Sequence, residues 1–101
     1  MSRPYTVHIG PHNFAVHSNN NHTHRLIRDG KYGETDLDKL SIYIRHDLPA
    51  SLWDETLCHE VIHAAFAVSG LNHQLDDEER IVATLAPYLS QALSGPHLPQ
   101  P

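Results

Sequence analysis

The chain has 101 residues, room for one small domain with a modest core. Twelve acidic against seven basic residues leave a formal net charge of -5 with histidine neutral, which argues against nucleic-acid or anionic-membrane partners, since both want a basic patch. A single cysteine, Cys58, excludes an internal disulfide and fits a reducing compartment; with no signal-peptide core after Met1 and no apolar run of membrane-spanning length, a soluble, cytoplasmic protein is expected.

Residues 5–9 alternate, Gly10-Pro11-His12-Asn13 turns, and residues 14–17 are apolar again, which predicts a β-hairpin. Residues 18–21 are expected to loop, with His22 and His24 as exposed loop residues. A short helical turn ended by Gly30 is expected over residues 26–30. Residues 32–36 predict a strand, 37–39 a turn, and 40–45 a second strand, with Leu40, Ile42 and Ile44 on one face and Ser41, Tyr43 and Arg45 on the other. Pro49 suits the first turn of a helix and Gly70 its end, so one helix is predicted over residues 50–69. A second is predicted over residues 77–93, from the spacing of Ile81, Val82, Leu85, Leu89 and Leu93. Pro87 inside it should kink it or remove one hydrogen bond. Strands followed by helices define an α+β class: a small antiparallel N-terminal sheet packed on two helices. The domain is expected over residues 1–94, with a flexible Pro-rich tail over 95–101.

The first predicted helix carries His59-Glu60-Val61-Ile62-His63. Residues i and i+4 share a helix face, so both imidazoles can reach one metal ion. A catalytic zinc takes three protein ligands and keeps one position for water, and an adjacent glutamate can act as base. Ten histidines in the chain make a chance match easier. The apolar surroundings, Val61, Ile62, Ala64, Ala65 and Phe66, oppose that reading, because buried His and Glu need partners. One Zn2+ per chain satisfies all three. Cys58 lies one residue off the ligand face and reads as small buried filler.

A third ligand is required. The metzincin pattern fails, because Phe66 and Ser69 stand where Gly and His are needed. His73 is a weak candidate. The acids Asp76, Asp77, Glu78 and Glu79 are stronger, since a carboxylate from a second helix completes a His₂Glu set. An acidic first turn also caps a helix without any metal. Glu79 shares its face with Val82, Ala83 and Ala86, and the two alanines allow close helix approach; Glu78 shares its face with the bulkier Ile81, Val82 and Leu85. The spacing favours Glu79 and keeps Glu78 as the alternative.

Three stretches together, residues 33–44, 55–64 and 78–86, resemble small gluzincin-like HExxH proteins of phages and prophages, related to ImmA/IrrE-type metallopeptidases and the minigluzincins. In such proteins the third ligand is a Glu followed by a small residue at i+3, often Asn at i+4, and Ala at i+7. Glu79, Val82 and Ala86 follow this loosely, and Ala83 stands at the Asn position. The resemblance implies a zincin-like fold and zinc-dependent hydrolysis of peptide bonds. Glu60 would be the general base, and a peptide or protein the substrate, lying along an edge strand. The strand over residues 40–45 is the expected edge. His73 and Tyr88 are chemically suited to stabilise the transition state. Larger gluzincins close the cleft with a C-terminal subdomain, so a second copy or a protein partner is expected to complete it here. The alternative from another class is a zinc-binding regulatory or assembly module with weak or no catalysis.

Overall fold

A computed structural model of the chain describes residues 5–70 and 77–94. The predicted first hairpin is present: β1 (Tyr5–Ile9) pairs antiparallel with β2 (His12–His17). It turns at Gly10, whose φ of 60° lies in the left-handed region that glycine enters without cost.

The loop expected after it is instead a helix, α1 (Asn20–Arg28). Asn19 caps it, its side-chain oxygen accepting from the His22 N–H at 3.0 Å, the satisfaction of a free helix donor that favours Asn at this position. Leu26 and Thr23, three residues apart, are its buried face. His22 and His24 therefore sit on a helix, not in a loop. The expected stop at Gly30 holds, with φ of 71°.

β3 (Gly33–Asp36) and β4 (Ser41–Ile44) form the second hairpin. The sheet that joins the two hairpins is mixed, not antiparallel. Its order is β1-β2-β4-β3, and β2 runs parallel to β4 with Ala15 opposite Ser41 and His17 opposite Tyr43. A parallel pair needs a long crossover, and α1 with β3 supplies it. β4 is thus an inner strand, and all four of its residues are buried. Its Ile42 and Ile44 face one way; Tyr43 faces the other, stacked on His17 and tilted against His22, with the Arg25 guanidinium 5.3 Å over its ring. α1 packs on that second face.

The core lies between the sheet's other face and α2 (Ala50–Ser69), which matches the predicted bounds. Ile9, Phe14, Val16, Ile42 and Ile44 pack there with Trp53 and Ala64. The Trp53 indole N–H donates to Ser18 Oγ at 3.0 Å, so the largest ring enters the core without an unsatisfied donor. Pro49 precedes α2, and Gly70 closes it with φ of 84°. The second predicted helix is α3 (Glu78–Ser94), which continues through Pro87. It packs on α2 and buries Val82, Ala86 and Ser90, residues one turn apart on a single stripe. The fold is α+β with a four-stranded mixed sheet and three helices, one more than expected. Among the described residues no helix is long and apolar enough to cross a membrane. The expected connection over 71–76, with His73 and Asp76, and the tail over 95–101 lie outside the described residues.

Candidate metal centre

α2 brings His59 and His63 onto one face, as their spacing requires, with Nε2 atoms 3.2 Å apart. The first turn of α3 delivers Glu79 across them. Its Oε1 lies 2.8 Å from His63 Nε2 and its Oε2 3.1 Å from His59 Nε2. One ligand atom from each residue lies within 4.8 Å of the others. A tetrahedral zinc with bonds of about 2.0–2.1 Å places its donors about 3.3 Å apart. The separation of the two Nε2 atoms, 3.2 Å, matches that spacing, each Glu79 oxygen lies near one imidazole, and two imidazoles with one carboxylate are donors zinc takes.

Glu78 occupies a different place. Its Oε2 accepts from His63 Nδ1–H at 2.5 Å. Adjacent helix residues are rotated by about 100°, so the two glutamates reach one imidazole from two sides. Glu78 takes Nδ1, so that in a metal-bound state Nε2 would be free to ligate, and this is how a carboxylate fixes the tautomer of a metal-binding histidine. Glu79 is 71 % exposed at the mouth of the site, whereas Glu78 is 21 % exposed beneath it. Replacing Glu78 with Gln should keep the site but weaken zinc by roughly 10–100-fold, read by competition with a chelating dye.

In the metal-free chain, burial pulls the His63 pKa down, but the bond to Glu78 and the charges of Glu79 and Glu60 outweigh it, and the net shift is upward from 6.5. A raised pKa stabilises the fold fully below the ordinary value, and that contribution disappears as pH rises through the raised one. In chelator, the stability difference between native protein and Glu78→Gln should therefore be larger at pH 5.5 than at pH 8.5. An equal difference at both would remove the Glu78–His63 bond as its source.

Glu60 turns toward β3. It is 9 % exposed, and its Oε1 accepts from Thr35 Oγ–H at 2.8 Å. Thr35 Oγ also lies 3.3 Å from the Glu60 carbonyl oxygen, so one hydroxyl holds both ends of the residue. The approach depends on Gly33, on the same face of β3. A Cβ there would lie 2.8 Å from Thr56 Cγ2 and 3.0 Å from the Tyr43 carbonyl oxygen. Gly33→Ala should cost about 1–3 kcal/mol, as overpacking does, in urea denaturation. Sequence reasoning missed Thr35, Gly33 and the orienting role of Glu78; the i, i+2 spacing of Gly33 and Thr35 was the available signal.

Between β3, one face of α2 and the start of α3 runs an open cleft of about 640 Å³. It contains His59, Glu60, His63 and Glu79. β4 cannot be its docking edge, because β2 and β3 flank it on both sides. β3 is the edge. The Arg45 N–H donates to the Tyr32 carbonyl at 3.0 Å, and antiparallel pairing alternates, so the backbone groups of Gly33 and Thr35 point outward.

Tyr88 is 69 % exposed and does not line the cleft; nine residues beyond Glu79, it lies about 13 Å further along α3. His73 is outside the described residues. Cys58 is half-buried, and burial, with Asp54 and Glu55 nearby, pushes its thiol up, as suits filler rather than a nucleophile. Compared with models of protein families, with curated proteins and with solved structures, the chain matches none.

Proposed function

We propose that the chain is a zinc-dependent metallopeptidase of gluzincin type, akin to the small phage and prophage HExxH proteins, acting on peptides in the cytoplasm. The observation that carries the reading is the convergence of His59, His63 and Glu79 beside a carboxylate, Glu60, that Thr35 holds in place. When bound, zinc supplies a Lewis acid and a water acidic enough to lose its proton near neutral pH. With such an ion bound, Glu60 would be the base for its water and would return the proton to the leaving amine. The outward backbone groups of Gly33 and Thr35 hydrogen-bond an extended peptide as an added strand. Glu78 holds the His63 ring in register throughout.

A cleft this open leaves room for a second copy or a protein partner to complete it. The exposure of Glu79 favours one other reading, a zinc-binding assembly or regulatory module with weak catalysis. Incubating the zinc-loaded protein with a random peptide library decides between them. Cleavage that stops with chelator and returns with zinc is expected. A zinc-loaded chain that cuts no peptide would leave only the binding module.

A further inference from the structure

Five glutamates and one lysine line the cleft, and four of the five carboxylates are engaged. Glu34 pairs with Arg25 at 2.7 Å and holds Lys31 at 3.7 Å. Glu60 is bonded to Thr35, and Glu78 and Glu79 to the histidines. Glu55 is different. It is half-buried in the α2 wall, and among the described residues no hydrogen bond or ion pair reaches it. A carboxylate partly withdrawn from water without a partner is unfavourable, and it becomes favourable when a cation arrives.

Its position gives that cation a place in the site. Glu55 precedes His59 by four residues, on the same face of α2, so the two are about 6 Å apart along the helix. Leu52 lines the cleft one turn earlier on α2, and Tyr32, half-exposed, lines it from the β3 side, next to Gly33. Apolar side chains beside an unpaired carboxylate in one cleft fit a long aliphatic stem with a cationic head. The chain's net charge of -5 draws the same sign of ligand.

We propose that the cleft selects peptides carrying a lysine or arginine, whose side chain lies between Leu52 and Tyr32 and whose charge is met by Glu55. The inference rests on the peptidase reading, and it adds a substrate class. An extended chain advances about 3.3 Å per residue, so the basic residue sits within about two positions of the bond aligned with His59.

The test is affinity selection of a random, end-protected heptapeptide library on the immobilised zinc-loaded Glu60→Gln chain, which holds peptides without cutting them. Retained peptides should be enriched about tenfold in Lys or Arg at one position, the gain of one charge-assisted hydrogen bond. Adding Glu55→Gln should erase the enrichment, and Glu55→Lys should turn it toward Asp and Glu; zinc content measured alongside confirms each fold. No basic enrichment, enrichment indifferent to both changes, or no retained peptide would overturn the proposal. The native chain separates the two ideas. Cleavage without basic preference removes the role of Glu55 alone, and basic-selective retention without cleavage removes hydrolysis alone.

Discussion

Alanine at His63 or at Glu79 should reduce bound zinc from about one per chain to none at micromolar protein. Each change deletes one of the three residues whose ligand atoms lie within 4.8 Å of one another. The loss should exceed the roughly 10–100-fold expected when only an orienting partner is removed. Glu78→Gln is therefore the internal control, since it disturbs the same imidazole from the other nitrogen. Elemental analysis of dialysed protein reads the result. If Glu79→Ala kept its zinc while Glu78→Ala lost it, the roles of the two glutamates would be exchanged. If both kept it, the ion would be held elsewhere.

Glu60→Gln should leave zinc in place and slow peptide hydrolysis by about 10²–10⁴-fold, the usual weight of a positioned general base. The change is nearly isosteric, and the amide oxygen can still accept from Thr35 Oγ–H at the position where the carboxylate accepts it at 2.8 Å. The fold and the Glu60–Thr35 contact are retained, and only the basicity is lost. Stability in urea should accordingly move by a few tenths of a kcal/mol at most, while kcat collapses. An unchanged kcat would assign the proton transfer to another group. Thr35→Val offers a milder companion: the base remains but loses its tether, and kcat should fall less than in Glu60→Gln.

These residues differ in how readily the sequence reveals them. His59, Glu60 and His63 sit on one helix, so a period of 3.6 residues places them without knowledge of the fold. α2 was equally plain, because Pro49 and Gly70 bracket an apolar stretch. α1 was hidden by composition: its first turn is Asn20-Asn21-His22-Thr23, poor helix formers whose mean behaviour conceals the cap at Asn19. The two hairpins are local and were visible. Their parallel junction, Val16 opposite Ile42, is not, because nothing near either strand reports which distant strand it meets. The misplaced edge strand follows from that one pairing. Thr35, Gly33 and the orienting role of Glu78 were missed for the same reason: each matters through an element it touches only after folding.

The site also ties α3 to α2. α3 lies on α2 alone among the larger contacts of the fold, through Val82, Ala86 and Ser90, and Glu79 ties its first turn to the two histidines. An ion bound there acts as a staple between the helices, and mass action sets how firmly it closes. At a free ion concentration 100 times the dissociation constant, the folded state gains about 2.7 kcal/mol. For a domain whose whole margin is about 5–15 kcal/mol, the metal supply of its surroundings would then act as a thermostat on its lifetime.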